Sequence, residues 1–489
     1  MANLKKLASD TAIYGLGSVI KKIVGLFLLP FYTRVLSPAE YGILDSLGTF
    51  SFFIAVIFGL GITGATGRYF FIANTDTEKG SVLYTSIILR IFSTVLPIIV
   101  MLFFADNISS LLFKTDKYTW VVVLSLVLIP VQSISQMQEV LFRYYRKPWK
   151  YLIVSGLRSV VTPIFGISLV VVLQWGVFGA TLASLISSSF IMVFAYLFYT
   201  RKKYIRKFSP YWAKKMLRFG FPLIFTGMLM WVNSVSDRFF LLHYSSLNEI
   251  GFYSIGSVFS QPIMLLNMAI AMSSSVLLMS MFTDEEDENK PKTKAFFKET
   301  FNLYISIAVI IAVVVSVFSY EIVFYVTTPE YISSILAIPF LLFGLILDQS
   351  FQMTASGMTL KEKSRPYIWI SLIAASTNVL LNFYFIPKYG FLGAAITTIL
   401  SNIVFFVVGY NWSQRYFKVD WKIHKHTMLL IVTFCIALFF PFAQLKFGLN
   451  INIWYKLIVI IVSLGLPFVF RLIEVKSVIK RMTLIFKNK

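Results

Sequence analysis

The sequence predicts an all-α, polytopic membrane protein of about 14 transmembrane helices. They form two six-helix bundles in parallel pseudo-two-fold repeat, followed by two extra C-terminal helices. Three observations carry this reading. The 489 residues are 57% hydrophobic and only 13% charged, about half the roughly 25% usual in soluble domains, with a mean hydropathy of +0.78. Apolar windows of about 20 residues, the length needed to cross a hydrocarbon core about 30 Å thick, recur fourteen times. Lys and Arg are segregated between alternate connections, as the positive-inside rule requires.

In chain order the windows fall near 11–33, 43–66, 82–104, 119–140, 153–173, 178–199, 217–242, 251–281, 300–320, 332–355, 367–386, 391–412, 427–445 and 453–472. Barrel-type alternation is absent, so each reads as a helix. With both termini cytoplasmic, 33 of the 44 Lys and Arg lie on the cytoplasmic side, whereas Arg34, Lys114, Lys117, Lys388 and Lys446 are external. An odd number of spans would break that alternation.

Two internal matches give the organisation. Residues 31–51 align on 240–260 at an offset of 209, matching Phe31, Ser37, Glu40, Gly42, Phe50 and Ser51. WGVFGATLASLIS from Trp175 aligns with YGFLGAAITTILS from Tyr389 at an offset of 214. A six-helix unit is therefore duplicated, and an even unit repeats in parallel orientation. The implied division is 1–212, 213–413, and 414–489 for the two added helices and a basic cytoplasmic tail.

Composition excludes a soluble multidomain protein and a disordered one. The net charge of +22 reflects retained cytoplasmic loops, and nucleic acid is not an expected partner. A single Cys435, with His243, His424 and His426 scattered near span ends, rules out a disulfide framework and leaves no expected metal site or cofactor. No cleavable signal peptide is evident. The run G-L-G-I-T-G at Gly59–Gly64 lacks the strand that a dinucleotide fingerprint requires; it reads as helix packing through small residues. There is no phosphate-binding loop of the ATPase type. The acidic run Asp284–Glu288 reads as a solvated loop, and the eight basic residues of 201–218 as a topology anchor.

The informative residues are charges inside spans: Lys21, Lys22, Arg90 and Arg158. Each would cost roughly 2.5–3.5 kcal/mol at mid-bilayer facing lipid. Their helical neighbours are small or polar: Gly15, Ser18 and Gly25 with Lys22; Ser86, Ser93, Thr94 and Pro97 with Arg90; Ser155, Ser159, Thr162 and Gly166 with Arg158. Three such stripes are expected to line one basic cavity in the first unit, the substrate-binding site. Snorkelling is the alternative, strongest for Arg158. The repeat-equivalent positions Met230, Trp231 and Leu372 are apolar. The second unit's charges are Asp237, Arg238 and Asp348, for which a coupling site and a structural ion pair both remain open. Cations in one half only point to an anionic substrate.

The segment LLPFYTRVLSPAEYG, Leu28–Gly42, preceded by Tyr14-Gly15, is similar to the first-helix signature of the oligosaccharide flippases. These form the polysaccharide-exporter branch of the multidrug/oligosaccharidyl-lipid/polysaccharide exporter superfamily. Pro30, Phe31, Arg34, Leu36, Pro38, Glu40, Tyr41 and Gly42 carry the match. The resemblance implies alternating access between two bundles in the bacterial plasma (inner) membrane. It implies a polyprenyl-diphosphate-linked oligosaccharide as cargo, for O-antigen or capsule assembly, with membrane lipids and polysaccharide polymerase machinery as partners and no enzymatic activity. The rivals are a cation-coupled multidrug exporter, which would want acidic groups in the first-unit cavity, and a membrane-embedded polymerase or ligase, which would want a large external loop with catalytic groups.

Overall fold

The computed structural model describes residues 2–201, 207–270, 291–355, 358 and 365–472. The acidic run Asp284–Glu288, the end of the window 251–281, part of the basic stretch 201–218 and the basic tail lie outside them. Among the described residues every regular element is helical. The first unit contains α1 (Ala2–Tyr32), α2 (Pro38–Phe58), α3 (Ile62–Ile72), α4 (Asp76–Leu102), α5 (Ala105–Phe113), α6 (Thr119–Tyr144), α7 (Pro148–Gly166), α8 (Gly176–Ala195), α9 (Pro210–Tyr244) and the start of α10 (Leu247–Phe259). The second contains α11 (Pro291–Val317), α12 (Ser319–Val326), α13 (Ile338–Thr354), α14 (Arg365–Tyr416), α15 (Ile423–Lys446) and α16 (Ile453–Val469).

Ten helices among the described residues are individually long and apolar enough to cross a membrane. Apart from 251–281, which runs past the described residues, the other windows are accounted for locally. At 52 residues, and about 1.5 Å per residue, α14 would be about 78 Å long, far beyond one bilayer. It breaks at Gly390, whose φ of 55° is non-helical, so the windows 367–386 and 391–412 are its two arms. The window 332–355 is a bent pair, Pro329–Leu336 with Ile338–Thr354, kinked by 47°. The window 453–472 becomes the 17-residue α16. Many large apolar side chains point outward, among them Phe225 in α9, Leu380 in α14 and Ile431 in α15. In a soluble protein that would be a defect; here it is the lipid-facing surface.

One expected span is interrupted. The window 43–66 ends as α2 at Phe58 and restarts as α3, because Leu60 and Gly61 both have positive φ, 48° and 62°. A Cβ on Gly61 would lie 2.3 Å from the Gly220 carbonyl oxygen, and one on Gly220 2.2 Å from that of Leu60. The small residues therefore serve a helix break packed on α9, and the dinucleotide motif is not formed.

The chain condenses into two compact units, Met1–Gly251 and Phe252–Lys489. The division expected at 212/213 lies in the first turn of α9, a helix that packs on α2, α3 and α4. Arg238 on α9 pairs with Asp45 on α2, and its Nη1 lies 3.4 Å from Asp237 Oδ1. In the second unit, Lys456 is fully buried and donates to Glu321 Oε1 at 2.5 Å, which ties α16 to α12.

The repeated residues have a stereochemical role. Ser37 accepts from the Glu40 N–H at 3.3 Å, and Glu40 Oε2 accepts from the Ser37 N–H at 2.9 Å. This is a capping box, with Pro38 at the first turn. At the equivalent position Ser246 Oγ accepts from the Glu249 N–H at 3.4 Å. In the second match Gly176 and Gly390 share a positive φ, 53° and 55°. Gly179 and Gly393 both sit where a Cβ would strike a preceding helix carbonyl, at 2.8 and 2.3 Å.

Candidate functional site

The long helix α6 organises the site. At about 100° per residue, Ser125, Leu128, Ile129, Gln132, Ser133 and Gln136 form one stripe, and that stripe lines a cavity of about 570 Å3. The opposite walls are Gly48, Ser51 and Ala55 of α2 and Thr181 and Ser184 of α8, with Tyr32 of α1 at one side. This volume is within the roughly 300–1,000 Å3 of small-ligand sites. The lining is rich in hydroxyls and amides that can replace water around a polar guest.

Arg90 of α4 supplies the cavity's charge. It is buried at 8% exposure, its Nε donates to Ser133 Oγ, and its Nη1 donates to Thr63 Oγ1. The helix supports it: Thr94 Oγ1 donates back to the Arg90 carbonyl at 2.6 Å, and Ser86 and Thr94 are fully buried beside it. Among the described residues no carboxylate lies within ion-pair distance of Arg90. A guanidinium has five N–H donors in a planar fork, so two hydroxyl bonds leave it equipped to hold an oxyanion.

The other two paired cations lie one turn further along α6 and share a carboxylate. Lys21 Nζ donates to Glu139 Oε2. Arg158 Nε donates to Glu139 Oε1 at 3.1 Å, and Arg158 Nη2 to Ser135 Oγ at 2.6 Å. Tyr151 completes the group: its hydroxyl accepts from Arg143 Nη2 at 2.9 Å and lies 3.1 Å from Ser18 Oγ, with Lys21 over its ring. The structure thus brings Lys21 and Arg158 together on Glu139. It places Arg90 on the side of α6 that bears Ser133, about 160° around the helix from Ser135, to which Arg158 bonds. Lys22 is half-buried on α1 beside Lys21, and neither Lys21, Lys22 nor Arg158 lines the 570 Å3 cavity itself.

Asp237 and Arg238 belong to the α9–α2 ion pair described above, and Asp348 lies half-buried on α13 in the second unit. In that unit Asn382 Nδ2 donates to Asn378 Oδ1 at 2.9 Å, and Thr397 Oγ1 to Asn382 Oδ1 at 2.5 Å, bridging the two arms of α14. No group of three metal-ligating side chains occurs among the described residues. Glu139 is the residue that the sequence reading missed. Its signal was available, since Gln132, Gln136, Glu139 and Arg143 recur at i, i+3 and i+4 spacing.

A family model described as polysaccharide biosynthesis protein matches residues 7–283, a stretch that contains every residue of this site. The Lsg locus putative protein 1 of Haemophilus influenzae is 28% identical over 274 residues, covering 54% of this chain and 65% of that protein. The chain thus spans slightly less than two thirds of that relative's length. Among solved structures, the lipid II flippase MurJ in an inward closed conformation superimposes with a TM-score of 0.71 at 16% identity, over 97% of this chain and 100% of that one. An inward-facing multidrug resistance MATE family transporter of the MOP superfamily gives 0.61 at 17% identity, over 83% and 96%. At these identities the likeness is one of fold.

Proposed function

We propose that this chain, which belongs to the polysaccharide biosynthesis protein family, is a flippase for polyprenyl-diphosphate-linked oligosaccharides. It carries them from the inner to the outer leaflet of the bacterial plasma membrane by alternating access. The observation that carries the reading is Arg90, a buried cation with no acid partner among the described residues, facing a cavity lined by Ser51, Gln132, Ser133, Gln136 and Ser184. A diphosphate with several sugars cannot enter hydrocarbon unaided, because stripping water from an ionised group is prohibitively costly. Arg90 offsets that cost by charge, and the amides and hydroxyls replace the water around sugar hydroxyls. Lys21, Lys22 and Arg158 extend the positive surface along α6. Each negative charge moved outward gains about 2.3 kcal/mol per 100 mV of inside-negative potential.

One observation favours a drug exporter instead: the first unit does hold a buried acid, Glu139. Lys21 and Arg158 already neutralise it, however, and the group of three stays net positive. A cationic drug would meet like charge there.

Cells lacking the chain are expected to retain lipid-linked repeat units on the cytoplasmic leaflet and to lose surface polysaccharide, read with a sugar-specific probe on intact and permeabilised cells. Normal display with altered drug sensitivity alone would overturn the flippase reading. The orientation has its own test. Both termini and the 201–218 loop are expected in the cytoplasm, so Lys207→Cys in a Cys435→Ser background should resist an impermeant thiol reagent added to intact cells and react after permeabilisation. Labelling from outside would invert the topology.

A further inference from the structure

Glu139 is a buried acid one turn of α6 beyond the lining of a cavity read as carrying an anion. Its side chain is only 9% exposed, and both carboxylate oxygens are engaged, Oε2 by Lys21 and Oε1 by Arg158 at 3.0–3.1 Å. On α6 it falls within about 60° of Gln132, Gln136 and Arg143, so it lies on the face that lines the cavity, one turn past Gln136. Lys21 of α1 and Arg158 of α7 touch it, and Tyr151 of α7 and Arg143 of α6 lie behind Lys21, Tyr151 under its ammonium and Arg143 bonded to the Tyr151 hydroxyl.

We propose that Glu139 is a stand-in for the cargo's diphosphate: it holds Lys21 and Arg158 while the site is empty and yields them when the diphosphate arrives. The inference rests on the reading of the cargo as diphosphate-linked. Two cations left bare in a membrane interior would be costly, and one carboxylate satisfies both. A diphosphate carries more charge and more acceptor oxygens than one carboxylate, so it wins the exchange, but only by the difference. Exchanging ion pairs rather than making new ones keeps the cargo releasable, because Glu139 competes for the same two cations at the moment of departure. Binding energy spent on a state that must dissociate would slow the cycle.

The test titrates inorganic pyrophosphate into the purified full-length chain in nanodiscs. Glu139→Gln removes the competitor at nearly constant shape. It is expected to bind pyrophosphate about tenfold tighter or more, the order of one close charge pair, and to release it more slowly, while lipid-linked oligosaccharide transport falls. Glu139→Asp, which withdraws the carboxylate by one methylene, should fall between the two proteins and gives a second reading should the amide variant fold poorly. In an Arg158→Met background the gain from Glu139→Gln should shrink, since one of the contested cations is gone. Pyrophosphate binding by Glu139→Gln or Glu139→Asp that is no tighter than wild type, in protein that melts normally, would make Glu139 a structural tie and overturn the proposal. Farnesyl diphosphate separates the two levels of the argument: wild type that binds pyrophosphate but gains nothing from the lipid chain would remove the lipid-linked cargo and leave the exchange at Glu139 standing.

Discussion

Arg90→Ala is expected to abolish or nearly abolish export of surface polysaccharide while the protein accumulates in the membrane at wild-type levels. Arg90 supplies the charge of the 570 Å3 cavity, and its two hydrogen bonds run to hydroxyls, Ser133 and Thr63, that can pair with water once the guanidinium is gone. Loss of a desolvated, charge-assisted contact to an oxyanion costs roughly 2–5 kcal/mol, on the order of 30-fold or more in affinity. Arg90→Lys should retain part of the activity, because it keeps the point charge and loses the planar fork. Arg90→Glu should be worse than Ala, since it adds repulsion to the lost attraction. Leu372→Ala, at the position in the second unit that the repeat makes equivalent to Arg158, removes no charge and should change little. The measurement is surface glycan per unit of membrane protein. Normal glycan with Arg90→Ala at normal abundance would sink the cavity reading.

The residues of the site were legible in the sequence to different depths. Intramembrane cations are visible because hydropathy marks the span and the charge stands out within it, so Lys21, Lys22, Arg90 and Arg158 could be singled out before any coordinates. Their pairing could not. Glu139 meets Lys21 across 118 residues and Arg158 across 19, and which carboxylate a cation finds is decided by how α1, α6 and α7 pack. A reading that weighed cations alone therefore saw one open basic surface. The packed protein divides it into Arg90 with hydroxyl partners and a Lys21–Glu139–Arg158 group in which one carboxylate offsets one of two positive charges. The interruption at Leu60–Gly61 was hidden for a different reason: hydropathy runs unbroken through 43–66, and a change in φ at two residues leaves no trace in an apolar window. The break at Gly390 was anticipated, since the windows 367–386 and 391–412 are separated by a connection that holds Lys388. Span counting assigns α9 to the unit it opens, and it carries no sign of the Arg238–Asp45 pair and the Gly61–Gly220 approach that hold α9 against α2 and α3.

Gly42→Val should prevent folded protein from accumulating, and the reason lies in the repeat itself. A Cβ on Gly42 would sit 2.2 Å from the Leu247 carbonyl oxygen, and a Cβ on Gly251 would sit 2.0 Å from that of Pro38. Pro38 and Leu247 are related by the same offset of 209 residues as Gly42 and Gly251, so the contact is reciprocal: each glycine admits the partner helix's equivalent carbonyl. The capped starts of α2 and α10, each opened by a Ser-x-x-Glu pair, can approach this closely only because neither carries a side chain at the crossing. The neighbours are backbone atoms and cannot rotate away, so even Gly42→Ala forces the two helix starts apart. Overpacking of this kind costs about 1–3 kcal/mol for a single added group, sometimes more, and the branched Val adds two further carbons at the same point. The expected order of thermal stability in detergent is therefore wild type, then Gly42→Ala, then Gly42→Val with little recoverable protein. Gly465→Ala provides the contrast: nothing lies within 4 Å of its Cβ, and a helix-interior Gly→Ala exchange favours the helix by about 1 kcal/mol, so its melting temperature should hold or rise. Equal melting of Gly42→Ala and wild type would mean that the two helix starts do not cross at this distance, and the shared Ser, Glu and Gly of the two segments would then need another explanation than a common capped crossing.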